Sequence, residues 1–333
     1  MIRAFYSGLL ARSGGSSKRN KILVRGGISA AILTVLIWLL PTESLLLAVA
    51  SVPLTTWILV IAGYVAGHVV SAYKWRLLLG AVSVQIKGRD AIRAHAAGLF
   101  TNLCLPSVVG GDVIRAGLIM RDHKRIENVA LGSLADRIND TFALVLIAAI
   151  AGMLVPDTAE IDTAYILSRL AVVLFGVVIA GFVVIRLVPI ARLPRKFQDI
   201  VLRSREALTS LTRAPGIALA GFVMSVGIQG WFILLNVMLA KQIGIAATTS
   251  LWFFAWPLAK LIAMAPISLG GIGVREAAIA GLMAPFGINP ALVVAQSLCW
   301  EAVLVFSGLI AGVVAAGMPR GMKPDESTEA RHG

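Results

Sequence analysis

One ten-residue pattern occurs twice in this chain and determines how the rest of the sequence is interpreted. The first copy is PSVVGGDVIR, residues 106–115, and the second is PISLGGIGVR, residues 266–275. Both have the form P-x3-G-G-x3-R, and the second begins 160 residues after the first. Because each copy follows one apolar segment and precedes another, the pattern indicates an internal duplication. Coincidence is the alternative, since the chain has 32 glycines.

The composition around these copies indicates a membrane protein. Of the 333 residues, 58% are hydrophobic and 14% are charged, and the mean hydropathy is +0.87. A soluble domain is about half apolar and about a quarter charged. The composition therefore excludes a water-soluble protein, a disordered chain and a collagen-like fibre. Alternating strands of about 10 residues, which a membrane barrel requires, are absent. We predict an all-α polytopic membrane protein.

Hydropathy predicts about six full transmembrane helices, because a helix needs about 20 apolar residues to cross the hydrocarbon core. Two further segments, Ala91–Asn128 and Leu251–Phe286, are apolar but broken by the Pro-Gly-Gly motifs. A cleaved signal peptide is the alternative for the first run, but the long basic stretch before it favours an uncleaved helix. The six runs are Ile22–Leu40, Val49–Ala72, Ala130–Val155, Ile166–Val188, Gly216–Ala240 and Ala291–Met318.

The predicted organisation is a single transmembrane domain between two short tails. Residues 1–21 form a basic N-terminal tail, residues 22–318 form the domain, and residues 319–333 form the C-terminal tail. Between residues 189 and 214 a basic loop with interspersed apolar residues fits a helix on an anionic inner leaflet. A solvated cytoplasmic loop is the alternative for that segment.

Basic residues predict the orientation in the membrane. They are concentrated in both tails, in the stretch from Lys74 to Arg93, before the third span and in the basic loop, whereas the opposite loops carry Glu43, Asp157 and Glu160. Cytoplasmic loops carry the excess of lysine and arginine. We therefore expect both termini on the cytoplasmic side of a bacterial inner membrane. The net charge of +13 has this topological explanation, so we expect no nucleic-acid partner.

The same rule predicts that each Pro-Gly-Gly segment is a re-entrant helical hairpin. Arg93 precedes the first segment and Arg121 follows it, so the segment should enter and leave on the cytoplasmic side. Three full spans separate the two copies, and an odd number of spans inverts the second copy relative to the first. Inverted repeats with broken helices that meet near the midplane are typical of transporters.

The two turns predict a site for an anion. Glycines at 110, 111, 270 and 271 permit close turns, and the half-helix after each turn begins with free N–H groups. Arg115 and Arg275 lie one turn into those half-helices, with Asp112 and Glu276 beside them and Asn102 on the face that leads to the first turn. A plain kink with locally paired arginines is the alternative.

Several charges lie inside predicted spans, where each costs about 2.5–3.5 kcal/mol at a helix centre. Asp136, Arg137 and Asp140 occupy the third span, and Arg137 is spaced to pair with Asp140. Glu301 in the last span and Lys260 in the second broken segment complete the set of supporting or gating charges. A structural ion pair between helices is the alternative for these residues.

Motifs for ATP hydrolysis, zinc proteases and serine hydrolases are absent. The two cysteines, Cys104 and Cys299, lack the spacing of metal ligands. We therefore expect no cofactor, no metal and no catalytic residue, and the chain is more typical of a transporter than of an enzyme.

Three motifs together resemble those of the lysylphosphatidylglycerol synthase transmembrane family, the flippase-like membrane half of the multiple peptide resistance factors. They are L-P-x3-G-G-D-x2-R at 105–115, A-D-R at 135–137 and P-I-S-L-G-G-I-G-V-R-E at 266–276, and the resemblance extends from about Val24 to Met318. It implies translocation of a phospholipid or lipid-linked headgroup between leaflets. Only about 15 residues follow the last span, so we expect a stand-alone member without the aminoacyl-transferase domain.

The expected partners are the bilayer and a phospholipid or other anionic lipid. A separate lipid-modifying synthase and an oligomer are further possibilities. Two other functions stay open: a membrane-embedded enzyme for lipid-linked glycosyl transfer, and an accessory subunit for a glycosyl or aminoacyl transfer pathway.

Overall fold

The computed structural model describes residues 50–104, 110–121, 126–155, 213–264 and 273–319, with isolated positions between 187 and 209. Within these ranges the chain is helical and contains no strand. The main elements are α1 (Leu54–Ala81), α2 (Gly88–Cys104), α3 (Gly110–Met120), α4 (Ile126–Gly152), α5 (Pro215–Gln242), α6 (Thr249–Ala263), α7 (Val274–Met283) and α8 (Pro290–Gly317), with a short 3-10 turn at Ala284–Phe286.

Three of these helices are long and apolar enough to cross a membrane: α1, α5 and α8. Each has 28 residues and is therefore about 42 Å long, against about 30 Å of hydrocarbon. Large apolar side chains on their outer faces are exposed, including Leu54, Leu219 and Val313. Such surfaces suit lipid and not water, and the chain is a multi-pass membrane protein.

The predicted spans agree with these helices at two places and differ at a third. Helices α5 and α8 begin within a residue of the predicted runs, because Pro215 and Pro290 occupy the first helical position. Helix α1 runs nine residues beyond the predicted end at Ala72. Helix α4, with 27 residues, corresponds to the predicted third span and carries charges in its first half.

The predicted spans Ile22–Leu40 and Ile166–Val188, both tails up to residue 21 and from residue 320, and most of the basic loop 189–214 lie outside the described residues. The same holds for Pro106 of the first turn and for Pro266, Gly270 and Gly271 of the second.

Small residues allow α1 and α5 to pack closely and run antiparallel. A Cβ atom added at Gly63 would lie 2.9 Å from Leu235 Cδ2, and one at Gly67 would lie 2.5 Å from Phe232 Cε1. Further along α1, Leu78 meets Gly221 of α5. Residue numbers therefore rise along α1 as they fall along α5, which defines the opposite directions of the two helices.

Helices α2 and α3 form an antiparallel hairpin. Asn102 Oδ1 accepts a hydrogen bond from the Gly111 amide at 2.7 Å, and further along the pair His95 contacts Arg115. A Cβ at Gly98 would lie 2.8 Å from the Gly111 carbonyl oxygen, so this glycine permits the close approach. Helix α6 also packs against α7.

The described helices fall into two sets of four that resemble each other in order, length and packing. The lengths of α1 to α4 are 28, 17, 11 and 27 residues, and those of α5 to α8 are 28, 15, 10 and 28. Helices of one set also contact helices of the other: α2 packs on α8, and α6 packs on α4. The hairpins thus lie between long helices of both sets, and this arrangement positions the buried charges described next.

Candidate functional site

Charged side chains from both sets of helices form two clusters, in which four members are buried and the others are partly exposed. We define the first charge cluster as Lys74, Asp112, Arg115, Asp136, Arg137 and Asp140, and the second charge cluster as Lys260, Arg275, Glu276 and Glu301. Together they hold five basic and five acidic side chains, so the site has no formal net charge.

Lys74 is the centre of the first charge cluster, although the sequence analysis assigned it to a cytoplasmic loop. That assignment is wrong, because α1 continues to Ala81 and leaves Lys74 with no exposed surface. Its Nζ lies 3.1 Å from Asp136 Oδ1, forms an ion pair with Asp140 and donates to Ser225 Oγ at 2.8 Å. These partners come from α4 and α5, and they compensate for the loss of hydration around a buried cation.

Both terminal nitrogens of Arg115 have partners, whereas its buried Nε has none among the described residues. Its Nη2 lies 3.0 Å from Asp136 Oδ2 and 3.3 Å from Asp112 Oδ1, and its Nη1 donates to His95 Nδ1 at 3.0 Å. The guanidinium carbon lies 4.5 Å from the ring centroid of Trp75, a cation–π geometry. Only 3% of Arg115 is exposed, so its charge is neutralised inside the protein.

Arg137 pairs across helices instead of within its own helix. The spacing of α4 predicted a pair with Asp140, but Arg137 forms its ion pair with Asp112 of α3. Asp140 is engaged by Lys74 from α1. The prediction failed because Lys74 and Asp112, which lie on other helices, approach these side chains from directions that helical spacing does not reveal.

At the first glycine turn, a backbone N–H group donates its hydrogen bond to another residue of the protein. Gly110 and Gly111 are buried at the start of α3, and the Gly111 amide donates to Asn102. From the sequence we expected free N–H groups at this turn that could bind an anion. The amide of Gly111 is therefore already satisfied, and an anion at this end of α3 would compete with Asn102.

The second charge cluster is organised around Glu276, which has no exposed surface. Its Oε2 accepts from the Gly273 amide at 2.6 Å and caps α7, while its Oε1 accepts from Arg275 Nη2 at 2.8 Å. Arg275 also forms an ion pair with Glu301 of α8. The Arg275 guanidinium lies 5.5 Å from the ring centroid of Trp256.

Lys260 differs from the other four basic residues of the site. Its Nζ donates to Gln229 Oε1 at 2.9 Å, and no carboxylate among the described residues lies within 4.0 Å of it. Lys260 lies on α6, which packs both on α4 of the first charge cluster and on α7 of the second. Lys260 is partly exposed, and a neutral amide holds its ammonium where a carboxylate pairs with each of the other four cations.

Imidazole and aromatic rings connect the two arginines. His95 contacts Arg115 and lies 3.0 Å from His68, measured between His95 Nε2 and His68 Nδ1. The series continues from His68 through Tyr64, Trp300 and Trp256 to Arg275, with successive ring centroids 4.4, 5.4 and 5.6 Å apart before the cation–π contact. A continuous series of side-chain contacts therefore runs from the first charge cluster to the second.

Two of these connecting residues, Tyr64 and His68, were not predicted from the sequence. Tyr64, His68, Ser71 and Trp75 are spaced by four, three and four residues, which places them on one face of α1. That polar and aromatic stripe in an apolar helix was the available signal. It is easily overlooked because the small residues of the same helix also repeat every four positions.

Among the described residues no group of three or more His, Cys, Asp or Glu side chains is arranged to hold a metal ion. Cys299 is a buried free thiol.

Comparison with known proteins adds a family to this geometry. The family described as the lysylphosphatidylglycerol synthase TM region matches residues 22–312. No curated protein matches the chain. Because the family match extends over most of the sequence and contains both charge clusters, the protein belongs to the lysylphosphatidylglycerol synthase transmembrane-region family, a family of membrane-embedded, lipid-related domains.

Proposed function

We propose that this protein translocates a phospholipid or lipid-linked headgroup between the leaflets of a bacterial inner membrane. The observation that carries the proposal is Lys260, a basic side chain on α6 that has no carboxylate partner among the described residues, while α6 itself packs on helices of both charge clusters. The headgroup would cross the polar interior between α2–α3 and α6–α7 while the acyl chains stay in lipid.

The architecture we propose is an inverted repeat with two re-entrant hairpins. Helices α1 and α5 occupy equivalent places in the two sets, and they run antiparallel, as expected for halves of opposite orientation. Helices α2, α3, α6 and α7 have 17, 11, 15 and 10 residues, so none reaches the length of about 20 residues that a full crossing needs. Pairs of half-length helices that line a cavity are the elements from which such transporters build their sites.

Within this architecture Lys260 would receive the anionic headgroup first. Arg115 and Arg275 are already paired with carboxylates, so a phosphate at the terminal nitrogens of either would compete with an acidic side chain. Lys260 would attract a phosphate without that competition. We propose that the phosphate then competes with Glu301 for Arg275 on one side and with Asp112 for Arg115 on the other.

The test is leaflet exchange of a fluorescent phosphatidylglycerol in proteoliposomes, measured by dithionite quenching. Lys260→Gln keeps a hydrogen-bond donor for Gln229 and removes the charge, so we expect exchange to slow at least tenfold, which corresponds to about 1.4 kcal/mol of lost stabilisation. Lys241→Gln, at an exposed position at the end of α5, is the matched control and should exchange like the parent protein.

Two results would contradict the proposal. One is normal exchange by a Lys260→Gln protein whose elution from size exclusion and thermal stability match those of the parent. The other is a parent protein that gives no exchange but forms a new covalent lipid product, which would support the membrane-embedded enzyme. Co-purification of a synthase without exchange would support the accessory role.

We also propose that both termini face the cytoplasm, on the basis of the lysines and arginines in the tails and the basic loop. Reporter fusions at each end check this. Alkaline phosphatase activity of either fusion in cells would refute the orientation.

A further inference from the structure

A cleft separate from the charge clusters lies between α1, α2 and α8. The cleft is about half open, and the space inside it together with its open mouth amounts to about 420 Å³. Its wall is largely apolar, with side chains such as Ala72, Ile92 and Val314. Val69 and Ile310, which are 37% and 43% exposed, line the cleft where it opens to the outer surface of the helices. The opening therefore faces the region that lipid occupies in a membrane.

Two polar atoms in this cleft lack a partner. Ser307 is 1% exposed, and its Oγ has no hydrogen-bond partner among the residues that the structure describes. The same is true of His68 Nε2, which is buried from solvent. Leaving a buried donor or acceptor unsatisfied costs about 1–3 kcal/mol, so two such atoms in one cleft require an explanation.

The hydrogen-bond network assigns the proton on His68. Arginine only donates, so His95 Nδ1 must accept from Arg115, and the proton of His95 is on Nε2. His95 Nε2 then donates to His68 Nδ1, which leaves the proton of His68 on Nε2. The cleft therefore contains an N–H donor from His68 and a hydroxyl from Ser307, both neutral, within an apolar wall.

We infer that the cleft binds one acyl chain of an ester-linked membrane lipid, whose ester carbonyl accepts hydrogen bonds from the His68 and Ser307 side chains. The carbonyl supplies the acceptor that the two orphaned groups lack, and the hydrocarbon fills the apolar remainder. A phosphate does not suit the cleft, since no lysine or arginine lines it. This inference deepens the proposed function, on which it rests for the claim that the bound lipid is the transported one.

The comparison that tests it uses two lipids that differ only at the linkage. Diacyl phosphatidylglycerol and its dialkyl ether analogue share headgroup and chain length, but the ether analogue lacks the carbonyl. Native mass spectrometry of the detergent-solubilised full chain should show the ester lipid bound at least about fivefold more tightly than the ether lipid, because each unmet buried hydrogen bond costs 1–3 kcal/mol. Equal affinities would overturn the inference.

Three variants distinguish the contribution of the hydrogen bonds to lipid binding from the contribution of the space in the cleft. Ser307→Ala removes only the hydroxyl, so we expect a smaller ester preference with an unchanged fold. Ala311→Leu fills the cleft from a side chain that is 7% exposed, and it should weaken both lipids alike. Val313→Leu, on the same helix at 74% exposure, is the matched control and should bind like the parent. Unchanged binding by both Ser307→Ala and Ala311→Leu would refute the site.

A photo-crosslinking benzophenone at Val69, where the cleft opens, identifies the occupant directly. A lipid adduct supports the inference, whereas an internal cross-link to residues 1–49 means that the chain itself fills the cleft and overturns it. The leaflet-exchange assay keeps the two proposals distinct. An ester preference without exchange refutes transport and leaves the lipid site intact, and exchange that is insensitive to Ala311→Leu refutes the site alone.

Discussion

Lys74→Met removes the ammonium at the centre of the first charge cluster while keeping a side chain of similar length. Asp136 retains Arg115 at 3.0 Å, so the carboxylate that loses its ion-pair partner is Asp140. Breaking a buried ion pair by removing one partner costs about 3–5 kcal/mol. Because 19% of the Asp140 side chain is exposed, water can relieve part of this cost, and we expect about 3 kcal/mol at the lower end of that range.

The double variant Lys74→Met/Asp140→Asn distinguishes a stranded charge from a general loss of packing. It removes both charges, so it should be about 1–3 kcal/mol more stable than Lys74→Met alone, which is the usual cost of a buried polar group without a partner. The measurement is unfolding of the detergent-purified protein in SDS, followed by tryptophan fluorescence. Lys241→Met, at an exposed site, is the control and should change the free energy of unfolding by less than about 0.5 kcal/mol. A single variant as stable as the parent, or a double variant less stable than the single, would refute the reasoning.

Two further predictions concern helix packing around the same site. Gly67→Ala places a Cβ 2.5 Å from Phe232 Cε1, so it should destabilise the protein by about 1–3 kcal/mol in the same unfolding assay, whereas Gly227→Ala meets nothing within 4 Å and should be neutral or stabilising. A Gly67→Ala protein as stable as Gly227→Ala would contradict the close contact of α1 and α5. Ser225→Ala removes the hydroxyl that Lys74 contacts at 2.8 Å, and we expect a loss of about 1–2 kcal/mol; if the loss persists unchanged in the Lys74→Met background, the hydrogen bond is not its cause.

Hydropathy predicted the long helices well because span length is set by the bilayer and not by the partners of each residue. The agreement is best for α5 and α8, where Pro215 and Pro290 mark the helix start in the sequence itself. The agreement is poorest for α1. A lysine at position 74 indicates the end of a span when the hydropathy of each residue is considered alone. The carboxylates that make its burial tolerable lie more than 60 positions later in the chain.

The candidate site was predictable in its residue types and less so in its pairings. The two broken segments, with Arg115, Arg275 and the charges of α4, were found from the repeat and from the cost of burying ions. The pairing of each carboxylate with its cation could not be found in this way, because those contacts are set by the packing of α3 and α4 against α1. The spacing along α4 predicted an ion pair between Arg137 and Asp140, whereas in the structure Arg137 pairs with Asp112.

The packing of helices from one set against helices of the other has a consequence for biosynthesis. Helix α2 packs on α8, which begins about 200 residues later, at Pro290. At about 5–20 residues per second, the ribosome completes that partner roughly 10–40 s after α2 has emerged. During this interval Gly98, His95 and the rest of α2 must remain in or beside the membrane without their final neighbour. A chaperone or the insertion machinery that shelters half-inserted hairpins would therefore act on this protein at the first hairpin, well before its last helix is made.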